Sequence, residues 1–489
     1  MTSNPSTHPS HADLADREHD AARLIATMIG LARQAQQQFA GYDQAATDTA
    51  VLAAGWAIMN PERNRELAEL AVRDTGLGNV ADKIAKNHRK TLGLLRDLAQ
   101  VRSVGIIADD PATGITEIAR PVGVVAAITP STNPGATPAN KIINALKGRN
   151  AVILAPSPKG WTTAARLVDF VCAQLQRSGM SADMAHGLVQ LLPAPVTKAM
   201  THELMRQADL IVATGSQANI RSAYSSGTPA FGVGAGNVAA IVDASADIIL
   251  AAKRIALSKT FDNATSCSSE NALVIVESVY QETLEALTGQ GGVMLDAQDK
   301  RRLQAFMWPD GRLASAATAR SASVIAAGAD LSPAAQAVSA QGFLMVGEEG
   351  FGVDHPFSGE KLAPVLAIYR ARDFDHAMQI VEHIYAYQGA GHSVGLHTTM
   401  ADQALVLAER LPVSRVIVNQ PHCVATGGSF ENGLPFSLSM GCGTWGGNNF
   451  SSNLNWRHFI NVTRIARPLP SREPTVQDIF GRYFDRFGR

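Results

Sequence analysis

Short apolar segments alternate with helical patterns between about residues 121 and 243, and this alternation restricts the possible folds more than any other feature of the chain. Apolar strands separated by helices pair in parallel and are covered by helices on both faces. The pattern therefore predicts an α/β fold with a doubly wound parallel sheet, whose ligands bind beyond the carboxyl ends of the strands. The predicted strands are 122–128, 151–155, 189–192, 210–213 and 239–242, and the helices between them include 137–147 and 161–177.

Two turns follow predicted strands at the edge where ligands would bind. Asn133 lies in the turn 129–134, where its amide could donate to a developing oxyanion or simply form the turn. Residues 214–216 end a strand and open a helix, and a helix N-terminus with Gly and Ser suits a phosphate group. An ordinary strand-to-helix turn explains the same residues, so both interpretations stay open at this point.

Cys267 lies among small polar residues in the segment 260–270, between a helical pattern over 248–259 and a strand-like run over 272–276. A thiol on such a connection can face a cleft, where backbone N–H groups favour the reactive thiolate. A small buried hydrophobe is the alternative. The four cysteines are far apart and form no CxxC pair, which indicates neither a metal site nor a disulfide framework and fits a reducing cytoplasm.

The overall charge and hydropathy exclude several classes of function. The net charge of −1 over 489 residues gives no sign of a nucleic-acid or anionic-membrane partner. No apolar window reaches the length of a membrane-spanning helix without charged residues, so we expect a soluble protein.

With these motifs in place, the chain resembles the CoA-acylating branch of the aldehyde dehydrogenase superfamily over roughly residues 30 to 468. The motifs occur in the order found in that family, and they are 129–134, 150–158, 213–216, 223–227, 232–237, 258–263, Cys267, 360–366 and 441–448. The resemblance implies the aldehyde dehydrogenase fold and a reaction that takes an aldehyde, coenzyme A and NAD(P)⁺ to acyl-CoA and NAD(P)H.

The resemblance also implies a role for each matching residue. Cys267 would attack the aldehyde, while Asn133 and the Cys267 backbone N–H would stabilise the oxyanion. Loss of hydride to the nicotinamide would then leave a thioester on Cys267. The residues expected to bind the coenzyme are Thr129, Pro130, Ser131, Ser157, Pro158, Lys159, Gly215, Ser216 and Glu360.

One position separates the acylating branch from the hydrolytic one. Hydrolytic members carry a glutamate base where this chain has Val233, and valine cannot activate water. The thioester should therefore resist hydrolysis until the thiol of coenzyme A attacks it. His392 is either a structural residue or an aid to thiol deprotonation. A hydrolytic aldehyde dehydrogenase and a catalytically silent scaffold on the same fold are the alternative interpretations.

The sequence is less specific about coenzyme and substrate. Pro158 and Lys159 occupy the place where NAD-preferring members often carry a glutamate, which favours NADP and leaves NAD open. A polar segment with Arg415, His422, Thr426 and Ser429 is expected to contribute to the substrate pocket. Its polarity favours a small anionic aldehyde, with sulfoacetaldehyde as the candidate and acetaldehyde or propanal as alternatives.

The family pattern further implies the domain organisation. We predict a disordered lead-in over 1–14, a helical N-terminus and coenzyme-binding domain over 15–238 and a catalytic domain over 239–430. Residues 431–470 would return to the coenzyme domain, and 471–489 would form a C-terminal tail. A hairpin over 101–120 and a terminal strand would pair subunits into a homodimer or homotetramer. The helix near residues 15–40 is either the first packing helix or a docking peptide for a protein shell.

Overall fold

The computed structural model of the chain describes residues 11–234 and 236–489. The predicted lead-in over 1–14 lies outside these ranges up to residue 10, and the first helix begins at His11. The helices are α1 (His11–Phe39), α2 (Gln44–Met59), α3 (Pro61–Thr75), α4 (Val80–Leu98), α5 (Ala136–Lys147), α6 (Trp161–Arg177), α7 (Ala182–Leu188), α8 (Lys198–Gln207), α9 (Gln217–Tyr224), α10 (Ile248–Thr260), α11 (Tyr280–Gly289), α12 (Ala297–Met307), α13 (Ala322–Gly328), α14 (Pro333–Gln336), α15 (Phe374–Tyr387), α16 (Ala401–Arg410), α17 (His422–Ala425) and α18 (Val476–Phe487). The strands are β1 (Gly105–Asp110), β2 (Ile115–Pro121), β3 (Val124–Thr129), β4 (Ala151–Pro156), β5 (Val189–Leu191), β6 (Leu210–Thr214), β7 (Ala230–Val233), β8 (Val238–Val242), β9 (Glu270–Val276), β10 (Gly292–Met294), β11 (Phe343–Gly347), β12 (Val365–Ala371), β13 (Val394–His397), β14 (Val416–Val418) and β15 (Ile460–Ala466).

The first sheet has five parallel strands in the order β5-β4-β3-β6-β7. Every residue of β3 and β4 is buried, because helices cover both faces of the sheet, and this explains their continuous apolar sequences. The strand order reverses between β3 and β6. Ligands of doubly wound sheets bind at such a reversal, beyond the carboxyl ends of the strands. The doubly wound parallel sheet predicted from the sequence is confirmed.

The second sheet has seven parallel strands in the order β10-β11-β12-β9-β8-β13-β14. The strand predicted over 239–242 belongs to this sheet, where β8 pairs with β9 and β13, so its expected place in the first alternating series was wrong. The missed strand β7 takes the edge position beside β6 instead. Its Phe-Gly-Val sequence gave no strand signal, since glycine weakens the pattern.

A third, antiparallel sheet contains the predicted hairpin, with the order β1-β2-β15. Both outer strands of this sheet are largely exposed. Before β15 the chain returns to the first hydrophobic core, where Phe436, Leu454 and Phe459 are fully buried. The predicted domain boundaries stay predictions. In the described residues, no helix combines the length and apolar character that crossing a membrane requires.

Candidate active site

A cleft of about 410 Å³ lies where the strand order of the first sheet reverses, and it extends to the loop before β9. Most of the site residues predicted from the sequence line it, namely Thr129, Pro130, Ser131, Asn133, Ser157, Gly215, Ser216, Cys267 and Glu360. Pro158 and Lys159 do not line the cleft, because they follow Ser157 in a short exposed helical turn. The structure thus brings the nucleophile, the amide and the carboxylate of the sequence hypothesis together.

The loop that carries Cys267 begins with a sharp change of chain direction after α10. Asp262, Asn263 and Ala264 have φ values of 51°, 52° and 57°, three consecutive residues in the left-handed region. Each such residue costs on the order of 1 kcal/mol, so neighbouring contacts must hold the turn in place. Asp262 supplies these contacts, since its buried carboxylate lies 2.6 Å from Lys86 Nζ and 3.1 Å from Lys83 Nζ.

Lys86 connects this turn to the turn that carries Asn133. Its ammonium donates to Asn133 Oδ1 at 2.8 Å and to Thr265 Oγ1 at 3.0 Å, in addition to Asp262. A lysine ammonium has only donors, so its partner on Asn133 must be the amide oxygen. The NH₂ group of Asn133 therefore remains available as a donor, as an oxyanion site requires.

Sequence reasoning missed Lys83 and Lys86. The sequence feature that could have identified them is their spacing on α4. Lys83, Lys86 and Lys90 recur every three or four residues there and so share one face of the helix. All three are buried. Lysines on the buried face of a helix require partners inside the protein, so this pattern indicates a polar site beneath the helix.

Cys267 is half-buried, and burial raises the pKa of its thiol to about 12, with a further increase from the nearby Glu360 charge. The thiol is therefore protonated at neutral pH in the ligand-free cleft and requires a base. His392 Nε2 lies 3.7 Å from its sulfur, and His392 Nδ1 lies 2.7 Å from Ser393 Oγ. Burial lowers the pKa of His392 to about 3, so the ring is neutral and Nε2 can face the thiol as an acceptor.

Gly236 allows these groups to approach one another. A Cβ atom at this position would lie 2.6 Å from the carbonyl oxygen of Cys267 and 3.1 Å from the His392 ring. The backbone N–H of Gly236 donates to Glu360 Oε1 at 3.3 Å. Burial nevertheless raises the pKa of Glu360 to about 8. Among the described residues that line the cleft, Glu360 is the only carboxylate.

The cleft has the features that a dinucleotide coenzyme requires at the switch point of the sheet. Ser216 caps the N-terminus of α9, and the space beside Gly215 is open, with Asn219 the nearest group to a Cβ at 3.8 Å. The hydroxyl of Thr129 is buried and has no hydrogen-bond partner in the described residues. These groups fit a pyrophosphate at α9, and Glu360 fits a ribose hydroxyl pair.

The position that carries the base in hydrolytic relatives is closed to water. Val233 ends β7, is only 5% exposed and does not line the cleft. Its carbonyl oxygen accepts the N–H of Gly215 at 3.3 Å, which holds the strand end against the turn of the coenzyme site.

The segment 419–428 lines the cleft through Cys423 and Gly427, but Arg415, His422, Thr426 and Ser429, the polar residues named from the sequence, do not line it. Arg415 is buried and donates to Gly441 O, Ser451 O and Asn453 Oδ1, so it fixes the returning chain. The ring nitrogen Nδ1 of His422 lies 2.8 Å from the carbonyl oxygen of Ser268. The polar side chains of this segment therefore form hydrogen bonds inside the protein.

Together, a cysteine, an amide donor and a single carboxylate lie at the switch point of a parallel sheet, an arrangement that suits covalent chemistry on the cysteine. Comparison with known proteins makes this specific, since the profile of the Aldehyde dehydrogenase family matches residues 2–295. The chain belongs to the aldehyde dehydrogenase family.

Relatives in the acylating branch align over nearly the whole chain. A sulfoacetaldehyde dehydrogenase (acylating) from Cupriavidus necator is 64% identical, and the alignment covers 96% of this chain and 94% of the relative. The enzyme of the same name from Bilophila wadsworthia is 41% identical, over 96% of this chain and 100% of the relative. The crystal structure of an acetylating aldehyde dehydrogenase from Geobacillus thermoglucosidasius superposes with a TM-score of 0.88 at 32% identity, covering 94% and 99% of the two chains.

Proposed function

We propose that this protein is a CoA-acylating aldehyde dehydrogenase, which converts an aldehyde, coenzyme A and NAD(P)⁺ into acyl-CoA, NAD(P)H and a proton. The observation that carries the proposal is the cleft in which Cys267 faces His392 while Glu360 is the only carboxylate among the described lining residues. We assign Cys267 as the nucleophile and Asn133 as the oxyanion donor.

The first half of the reaction follows from these contacts. The Cys267 thiol, which has the neutral His392 ring as its hydrogen-bond acceptor, releases its proton to solvent, and the thiolate adds to the aldehyde carbon to give a thiohemiacetal. The Asn133 amide, held by Lys86, donates to the oxygen that gains charge. The bound nicotinamide supplies a hydride acceptor. When the carbonyl re-forms, Cys267 carries a thioester.

The second half requires a nucleophile that arrives deprotonated. Val233 offers no base to water, so hydrolysis lacks a general-base contribution of roughly 10²–10⁴-fold. The thiolate of coenzyme A attacks the thioester carbon and releases Cys267 as the leaving thiolate. Acyl-CoA is the product, and the same steps run in reverse reduce acyl-CoA to the aldehyde.

Sulfoacetaldehyde, giving sulfoacetyl-CoA, is the substrate that we propose. Support comes from the 64% identity to an acylating sulfoacetaldehyde dehydrogenase across 96% of the chain. The cleft agrees with a charged substrate, since Lys90 lines it. Acetaldehyde and propanal are the uncharged alternatives.

For the coenzyme, we propose NADP in preference to NAD. Lys159 is exposed two residues after the cleft residue Ser157, and in the described residues it forms no ion pair. A cation in this place can contact a 2′-phosphate on the adenosine ribose. The ratio of kcat/KM for NADP⁺ to that for NAD⁺ tests this, because Lys159→Ala should lower the ratio and leave the rate with NAD⁺ in place.

We also infer that the chain assembles as a homodimer or homotetramer through the sheet β1-β2-β15. Its two edge strands expose unpaired backbone groups that a second copy can pair with. Light scattering of the purified protein tests this assembly. The domain boundaries and the cytoplasmic location remain predictions.

Initial rates with sulfoacetaldehyde, acetaldehyde, propanal and succinic semialdehyde, each with and without coenzyme A, test the function. The proposal expects the highest kcat/KM for sulfoacetaldehyde and sustained NAD(P)H formation only with coenzyme A. Equal or better use of the uncharged aldehydes would contradict the substrate, and sustained turnover without coenzyme A would contradict the acylating reaction.

A further inference from the structure

Lys90 is a buried lysine in the wall of the cleft. Its ammonium donates to Gly427 O at 2.7 Å and to Gly428 O at 3.4 Å, and it lies 5.5 Å from the centre of the Phe436 ring. In the described part of the chain no carboxylate lies within 4.0 Å of it, whereas the buried Lys83 and Lys86 share Asp262. Lys90 is also the only lysine or arginine among the described residues that line the cleft.

A buried ammonium without a counter-ion is costly to keep charged. Burial lowers the pKa of Lys90 well below its ordinary value, and the charges of Arg89 and Lys86 lower it further, while Cys423 acts in the opposite direction. An anion bound beside Lys90 would reverse this effect, because an opposite charge within a few ångströms favours the charged form. The electrostatics around Lys90 therefore suit a ligand that brings its own negative charge.

We propose that Lys90 is the specificity-determining residue that binds the sulfonate of the aldehyde substrate. This inference rests on the proposed function and assigns its substrate preference to one side chain. The ammonium would donate to a sulfonate oxygen while it retains the bond to Gly427 O. Thr137 lines the same cleft and brings a hydroxyl to it.

Lys90 lies one helical turn beyond Lys86 on α4. Lys86, four residues earlier, holds the amide that marks the carbonyl oxygen, and four residues of helix span about 6 Å. Sulfoacetaldehyde has one methylene group between the carbonyl carbon and the sulfonate, so its sulfonate lies close to the carbonyl oxygen that Asn133 would bind. A substrate that bonds to Asn133 would thus direct its sulfonate towards the next turn of α4.

Gly427 provides the room that the ammonium occupies. A Cβ atom at this position would lie 2.8 Å from Lys90 Nζ and 2.6 Å from Ser437 O. Gly427→Ala therefore displaces the ammonium, together with the backbone at Ser437, and leaves Lys90 itself unchanged. Gly427→Ala serves as a second variant, because it moves the charge of Lys90, whereas the Lys90 variants remove that charge.

The experiment compares selectivity, measured as kcat/KM for sulfoacetaldehyde divided by kcat/KM for propanal, in the wild type and in Lys90→Gln, Lys90→Met and Gly427→Ala. The glutamine keeps an N–H donor for the Gly427 carbonyl and removes the charge. We expect selectivity to fall roughly 10²-fold in both Lys90 variants, the effect of losing a charge-assisted hydrogen bond. Gly427→Ala should lower it in the same direction.

Lys141→Met is the matched control. Lys141 is as deeply buried as Lys90 and also donates to two carbonyls, Ile128 O at 2.6 Å and Val212 O at 2.8 Å, but it does not line the cleft. Its replacement should lower the thermal unfolding midpoint with selectivity unchanged. A selectivity loss of equal size in this control would overturn the assignment, since the loss would then reflect general damage.

The outcomes separate the two proposals. If the wild type prefers sulfoacetaldehyde and the Lys90 variants keep that preference, the Lys90 assignment is wrong and the proposed function stands. If the wild type shows no preference for sulfoacetaldehyde over propanal, the proposed substrate is wrong and the assignment falls with it. If the wild type prefers succinic semialdehyde and Lys90→Gln loses that preference, Lys90 binds a carboxylate and its assignment to a sulfonate is wrong.

Discussion

The ammonium nitrogen of Lys86 lies 2.8 Å from the side-chain oxygen of Asn133, and the same ammonium lies 2.6 Å from Asp262. This contact fixes which end of the Asn133 amide can serve as a donor. It also connects the turn after β3 to the loop that carries Cys267, so the oxyanion donor and the nucleophile are positioned by one side chain from α4. The consequences can be measured.

Replacing Lys86 with methionine should lower kcat roughly 10²-fold, because the Asn133 amide loses the partner that orients it. The KM for the coenzyme should change little, since Lys86 does not line the cleft. Steady-state kinetics, with thermal unfolding in parallel, measure both effects. Lys86→Arg keeps the charge beside Asp262 and should recover part of kcat. A KM effect without a kcat effect would contradict the positioning role.

Removing the imidazole of His392 should slow acylation of Cys267. The thiol pKa is raised to about 12, so few thiolates form without the acceptor at 3.7 Å. We expect His392→Ala to reduce the single-turnover rate of NAD(P)H formation by roughly 10²-fold at pH 7, with recovery as the pH increases. Ser393→Ala removes only the partner of Nδ1 and should have a smaller effect. An unchanged single-turnover rate in His392→Ala would show that the thiol does not need this hydrogen-bond acceptor.

A methyl group at position 236 should damage the site more than the fold. Gly236→Ala places a Cβ atom 2.6 Å from the Cys267 carbonyl oxygen, so the nucleophile loop must shift. We expect kcat to fall by 10²-fold or more, on the order expected for a displacement of about 1 Å. Gly289→Ala is a control for glycine replacement elsewhere, with no atom within 4 Å of the new Cβ and no positive φ at the glycine. Full activity of Gly236→Ala would contradict the described packing.

Glu360 should make the stability of the ligand-free protein depend on pH. Burial raises its pKa from the ordinary 4.5 to about 8, so the folded state holds a proton that the unfolded state releases. This contribution is fully present below pH 4.5 and is lost as the pH rises towards 8. We expect the free energy of unfolding of Glu360→Gln to increase relative to that of the wild type across this window. Denaturant titrations at pH 5, 6.5 and 8 measure this difference in the free energy of unfolding between the two proteins. A difference that stays constant over the three pH values would show that the carboxylate is solvated and would contradict the prediction.

The elements that sequence reasoning located well are those with strong local signals. Helix α6 over Trp161–Arg177 has the predicted bounds and helix α10 over Ile248–Thr260 agrees within one residue, because apolar periodicity defines them. The strand β7 and the sheet assignment of β8 depend on long-range pairing. Sequence periodicity along one segment carries no information on which sheet that segment joins.

The residues of the candidate site also divide into those that local motifs indicate and those that depend on contacts between distant parts of the chain. Cys267, Asn133 and Glu360 were found through motifs that resemble a family, and the structure brings them to one cleft. The lysines of α4 were missed because they lie more than 40 positions from Asn133 and more than 170 from Asp262 along the chain. The segment that contains His422 lines the cleft, but through Cys423 and Gly427 and not through its polar side chains, since polarity alone does not show whether a side chain faces a ligand or a backbone carbonyl.

The most direct test of the central claim is a rapid-mixing experiment with enzyme, NADP⁺ and sulfoacetaldehyde, without coenzyme A, followed by intact-protein mass spectrometry. The account predicts a burst of NADPH of no more than one equivalent per Cys267, an acyl adduct on that residue, and steady turnover only after coenzyme A is added. Cys267→Ala should give neither burst nor adduct. Continued NADPH formation with release of sulfoacetate in the absence of coenzyme A would contradict the account.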